Sequence, residues 1–90
     1  MRKAARLEIS YHRGRPIAAY LYLHREASDK AARSRKAGPE LVVDYAADGR
    51  PIGIEILHVA AASAGPVNEL LAELHQRALS EEELTALCTA

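Results

Sequence analysis

Two carboxylates and one histidine are the residues of this 90-residue chain best placed to do chemistry together. Asp44 and Glu55 sit in two facing runs of alternating residues and fall as near diagonal neighbours on one face of a hairpin. His24 ends an earlier alternating run and shares that face. Two carboxylates and a neutral imidazole can hold a divalent metal or pass a proton. No further ligand stands at fixed spacing, however, and a solvated sheet face brings the same three residues together without any chemistry. His12, His58 and His75 belong to different elements. Ser, His and Asp all occur, but no nucleophile elbow does. Gly49 and Gly53 fit a hairpin and a strand rather than a phosphate-binding loop. A single cysteine, Cys88, excludes an intrachain disulfide and any Cys-x-x-Cys metal motif. The expectation is a chain with no enzymatic activity and no cofactor or metal.

A second set of residues could meet a macromolecule. Arg25, Arg33, Arg35 and Lys36 lie in a basic connector over 25–36 and could neutralise phosphates, with Arg13 and Arg15 nearby. Tyr20 and Tyr22 could serve as stacking platforms for single-stranded nucleic acid. Asp44 and Glu55 share their face, and that acidity opposes phosphate. Tyr20, Tyr22 and Val42 make better sense as a protein contact patch, because Tyr is enriched at interfaces. Residues 1–36 carry ten Lys or Arg against three acids, a balance of +7, and residues 37–90 carry two against nine, a balance of −7. Such a split favours pairing between the halves, within one chain or between two.

The elements that must position these residues follow from periodicity. Alternation predicts strands over 6–11, 17–24, 40–46 and 51–59, arranged as two hairpins. Asp48-Gly49 reads as a two-residue type I′ turn with Gly49 at positive φ. The register then sets Tyr45 opposite Ile52, Asp44 opposite Gly53, Val43 opposite Ile54, Val42 opposite Glu55 and Leu41 opposite Ile56. Pro51 suggests that the last strand lies at a sheet edge. The tetrapeptide Gly-Arg-Pro-Ile occurs at 14–17 and again at 49–52, each time opening a return strand. Residues 25–39 have no apolar face and read as a mobile connector. Helical spacing predicts helices over 66–78 and 81–88, the second opened by a capping box of Ser80 and Glu83 with Leu79 and Leu84 as its staple.

The whole chain, 1–90, reads as one α+β domain: a four-stranded antiparallel sheet core over 6–59 and a C-terminal helical segment over 66–89 packed on one face. Leu7, Ile9, Ile17, Leu21, Leu23, Leu41, Val43, Ile52, Ile54 and Ile56 should be buried, with Leu70, Leu71 and Leu74 covering them. The apolar content is 49%, yet much of it is Ala, and Trp and Phe are absent. The core is therefore thin, which favours a homodimer. No apolar run has the length of a membrane span, no membrane contact is expected, and the expected location is the cytoplasm.

Tyr11, Leu21-Tyr22-Leu23, Val42-Val43-Asp44-Tyr45, Asp48-Gly49-Arg50 and Gly53-Ile54-Glu55-Ile56-Leu57 together resemble the DUF2283 family of small bacterial proteins of unknown function. The resemblance spans about residues 7–60. The chain departs from the family pattern where His12, Ala19 and Ala46 replace aspartates. Some relatives look like partners of small toxin-like proteins, so the resemblance implies a binding or antitoxin-like role. Three functional readings follow. The first is a non-enzymatic protein-interaction module acting as a homodimer; the second is an antitoxin-like or nucleic-acid-binding regulator using the 25–36 connector. The third is a small metal- or ligand-binding protein.

Overall fold

The computed structural model describes residues 2–4, 6–24, 26 and 28–88. Its strands are β1 (Arg2–Ala4), β2 (Leu7–His12), β3 (Arg15–Tyr22), β4 (Arg33–Lys36), β5 (Leu41–Tyr45) and β6 (Pro51–Ile56). A short 3-10 turn at Ala61–Ser63 leads into α1 (Ala64–Glu73), and α2 (Glu81–Cys88) follows. The α+β class and the antiparallel sheet are as the alternation predicts. The sheet is larger than predicted: six strands rather than four, in the order β1-β2-β3-β6-β5-β4.

Both extra strands are basic and lie at the edges. Residues 33–36 form a strand because β5 offers a ladder, pairing Arg33 with Tyr45, Ser34 with Asp44, Arg35 with Val43 and Lys36 with Val42. The expectation of a mobile connector is therefore corrected. Upstream, the connector is clamped to the tip of the β5–β6 hairpin: Arg50 donates to Asp29 at 3.0 Å and to Asp48 at 2.6 Å. Arg25 lies outside the described residues.

β6 is also corrected, from an edge to a central strand. Pro51 is tolerated because it begins the strand, ahead of the ladder to β3, which starts at Tyr22 opposite Gly53. Four of the five predicted pairs of the second hairpin are present, from Leu41 opposite Ile56 to Asp44 opposite Gly53. The fifth is displaced: a bulge between Asp44 and Tyr45 sets Tyr45 against Pro51 instead of Ile52. The turn explains the shift. Ala46 N–H bonds the Arg50 carbonyl, Gly49 N–H bonds the Ala46 carbonyl, and only Gly49 has positive φ, at 92°. This is a three-residue loop ending in a left-handed residue, not the two-residue type I′ turn. The first hairpin has the I′ form, with Arg13 at φ 52° and Gly14 at φ 77°.

The two halves of the sheet share one plan. β1-β2-β3 and β4-β5-β6 are both three-stranded meanders, joined through β3 and β6. Gly-Arg-Pro-Ile opens β3 and β6, and Tyr11 faces Pro16 as Tyr45 faces Pro51, each next to a bulge. Arg-Lys-Ala at 2–4 begins against Ile9 as Arg-Lys-Ala at 35–37 begins against Val43. Sequence repeat and register repeat coincide, which makes the meanders structural equivalents.

One sheet face packs against both helices. Leu7, Ile9, Leu21, Val43, Ile54 and Ile56 are fully buried there against Val67, Leu71 and Leu87, with Leu74 and Leu84 at the margin. Ile17 departs from expectation at 46% exposed. α1 ends five residues before the predicted limit. His75 takes a left-handed φ of 58°, Gln76 N–H bonds Leu71 C=O and His75 N–H bonds Ala72 C=O, closing the helix as a Schellman motif. α2 begins with the predicted capping box: Glu83 N–H donates to Ser80 Oγ, and Ser80 N–H donates to Glu83 Oε1. Among the described residues no helix is long and apolar enough to cross a membrane.

Candidate functional site

The face opposite the helices carries a chain of polar contacts that crosses four strands. Alternation sends Tyr20 and Tyr22 of β3, Gly53 and Glu55 of β6, Val42 and Asp44 of β5, and Ser34 of β4 to this side. Tyr20 donates its hydroxyl to Asp44 Oδ2 at 3.0 Å, and Ser34 donates its own to Asp44 Oδ1 at 2.7 Å. Asp44 is only 7% exposed, so these two donors replace the water that a carboxylate otherwise needs. Tyr22 meets the Tyr20 ring edge-on, with centroids 4.7 Å apart.

Gly53 lets this arrangement form. A side chain there would run into the hydroxyl and ring of Tyr20, which lies across the strand at that point. Tyr20 is the diagonal neighbour of Gly53, since Tyr22 is the residue directly opposite. The glycine thus opens the path by which Tyr20 reaches Asp44.

Glu55 completes the cluster. Its carboxyl is held above the ordinary carboxylate range, chiefly by hydrogen bonding with Asp44, then by burial and by the Asp44 charge. Ionising Glu55 sets a second negative charge against the Asp44 carboxylate, and that repulsion is what disfavours its charged form. A raised folded value means the favourable contribution is complete below the unfolded value and is lost as pH rises through the folded one. Glu55→Gln keeps a donor for Asp44 and removes the repulsion. Its melting point should exceed that of the parent at pH 7.5, by the equivalent of about 0.2–1 kcal/mol, and match it below about pH 4. Thermal melts at the two pH values check this; an equal difference at both would contradict the raised Glu55 value.

The cluster occupies the positions where the two meanders diverge. Register equivalence matches Asp44 with Ser10, Gly53 with Ala18, and Glu55 with Tyr20, which also face each other directly. The shared plan builds the sheet; the departures from it build the cluster.

Asp44 and Glu55 thus meet, as their spacing predicts. His24 stands in the exposed bend after β3, bordering a hollow with Arg6, Tyr22 and Arg77. It does not complete a group of three ligating side chains with them among the described residues. His12, His58 and His75 are exposed on separate elements. Tyr20 and Tyr22 are in contact, Val42 shares their face two strands away across Glu55, and all three are half-buried. Ser34 and Gly53 were the members that sequence reasoning did not single out. Of the basic set, Arg33 and Arg35 lie over the Tyr45 ring at 5.2 and 5.9 Å, and Arg35 Nε and Nη2 donate to the Tyr45 hydroxyl. Lys36 is exposed on the same strand.

The hairpin built around Gly53 and Glu55, with its Tyr-bearing partner strand, lies inside the segment that a family comparison matches. Residues 18–59 match the DUF2283 family, described as a protein of unknown function. No curated protein and no solved structure matches the chain. The matched segment runs from within β3 to just beyond β6. It contains Tyr20, Ser34, Asp44, Gly53 and Glu55, and leaves out β2 and both helices.

A second feature lies on the helix side. Between the start of β5 and α1 runs a groove floored by Leu41 and Leu70 and edged by Pro66, Glu40, Glu69 and Glu73. It has a volume of about 210 Å³ and continues past Leu41 and Pro66 into a second hollow of about 180 Å³. Each is below the roughly 300 Å³ at which small-molecule pockets begin, so the pair suits protruding side chains better than a cofactor.

Proposed function

We propose that the chain is a non-enzymatic protein-interaction module that works as a homodimer. The observation that carries this reading is the contrast between the two faces. On the open face the polar groups are engaged with one another: both Asp44 oxygens accept hydroxyl donors, and Glu55 hydrogen-bonds with Asp44. That cluster ties β3, β4, β5 and β6 together. On the helix side an apolar-floored groove stands open beside acids that no cation of the described residues neutralises. A core built from aliphatic side chains, without Phe or Trp, gains from being covered by a second chain. Light scattering over a dilution series tests the reading. The mass of two chains at high concentration, falling towards one on dilution, is the expected result. A one-chain mass throughout, with no protein captured from the native cell, would contradict it.

A further inference from the structure

The edge strand β4 presents Arg33, Ser34, Arg35 and Lys36, all exposed. Its ladder to β5 uses the backbone groups of alternate residues, and the remainder point away from the sheet. Among the described residues, Arg33, Arg35 and Lys36 are not paired with any carboxylate. Immediately downstream, residues 37–41 run into the groove against α1, where Glu40, Glu69 and Glu73 likewise have no cation partner among the described residues. Three uncompensated cations therefore come just before, along the chain, a groove lined by three uncompensated carboxylates together with Leu41 and Leu70.

We infer that these two features are halves of one contact between two copies of this chain. The basic edge strand of each copy lies along the acid-edged groove of the other. Strand and groove are contiguous in the chain, so a two-fold axis passing between them satisfies both contacts with one operation and closes the assembly at two. Edge-to-edge pairing of β4 with β4 is disfavoured, because it sets Arg and Lys against Arg and Lys. The contact covers the groove floor and neutralises charges of both signs, which gives the +7 and −7 halves of the sequence a common purpose. This inference rests on the reading of the chain as a self-associating module and names the surface that does it.

The test uses the full chain and two charge-reversed variants, Glu69→Lys/Glu73→Lys and Arg33→Glu/Arg35→Glu, followed by sedimentation velocity at low and high salt. Each variant alone should raise the dissociation constant by about tenfold or more, and the parent should itself weaken with salt. An equimolar mixture of the two variants should associate nearly as well as the parent, since one groove–strand pair is then swapped in sign and the other is native. A parent dimer whose strength neither variant changes would overturn this surface while leaving self-association standing. A parent that stays a single chain would overturn both. Variants at Arg33 and Arg35 that lose a salt-dependent shift of DNA or RNA, with the dimer unaffected, would assign the strand to nucleic acid and overturn the proposal. The Glu69 and Glu73 side chains are exposed on α1, so that variant keeps the test open even where the strand variant folds poorly.

Discussion

Gly53→Ala is expected to cost about 2 kcal/mol, although it adds one methyl group to a sheet. A Cβ at this position overlaps the Tyr20 ring and hydroxyl, so Tyr20 must leave its place across β6. It then loses its hydrogen bond to Asp44 and its edge contact with Tyr22. Asp44, nearly buried, keeps the Ser34 hydroxyl and loses the Tyr20 one. A buried acceptor left short of donors is the larger part of the loss. A double-mutant cycle isolates the cause. In a Tyr20→Ala background the same Gly53→Ala change should cost well under half as much, because nothing remains for the methyl to displace. Denaturant melts of the four proteins check this; equal costs in the two backgrounds would mean that the glycine serves the backbone rather than the tyrosine.

The second large effect concerns the joint between sheet and helices. Arg6 precedes β2, and its Nε donates to Glu83 Oε2 at 2.8 Å. Its Nη2 also reaches the Arg77 and Ala78 carbonyls, at 3.2 and 3.0 Å. Glu83 is fully buried, and its other oxygen caps α2 through Ser80 N–H. Burial alone would push the Glu83 carboxyl up, but the Arg6 hydrogen bond and the Ser80 backbone and hydroxyl contacts together hold it below the ordinary range. Removing the arginine takes away the hydrogen-bonded charge partner of a buried carboxylate and leaves it only the longer contact, 3.8 Å, with the exposed Arg77. Arg6→Ala should therefore cost about 3 kcal/mol, the low end for a broken buried pair because the Arg6 side chain keeps 14% of its surface exposed. The sign of the pH effect follows from the depressed value: this stability is present above the unfolded carboxylate value and lost as pH falls through the folded one. The parent should lose stability on acidification more steeply than Arg6→Ala. Urea melts between about pH 3 and pH 7 would show it, and parallel slopes for the two proteins would contradict the pairing.

The sequence made some parts of this arrangement readable and concealed others for physical reasons. The β5–β6 register was readable because alternation and the Asp48-Gly49 turn agree, and it slipped only at Tyr45. There a three-residue turn inserts the bulge that a two-residue turn lacks. β4 was unreadable because Arg33-Ser34-Arg35-Lys36 shows no apolar alternation. Its helix-side positions lie beyond the core margin, where guanidinium groups lie over Tyr45 instead of packing as aliphatics. The end of α1 was concealed because His75, not glycine, takes the left-handed position that stops the helix. In the cluster, the Asp44–Glu55 proximity followed from register. Ser34 did not, because its strand was not visible, and the role of Gly53 did not, because it depends on where one tyrosine on a neighbouring strand lies.

Backbone amide shifts recorded by NMR from dilute to concentrated protein test the central claim most directly, because they report which surface a second copy covers. The account predicts concentration-dependent shifts over residues 33–41 and 66–73, while Tyr20, Asp44, Gly53 and Glu55 stay in place. Shifts centred on Tyr20, Tyr22 and Val42 instead, or none at any concentration, would contradict it.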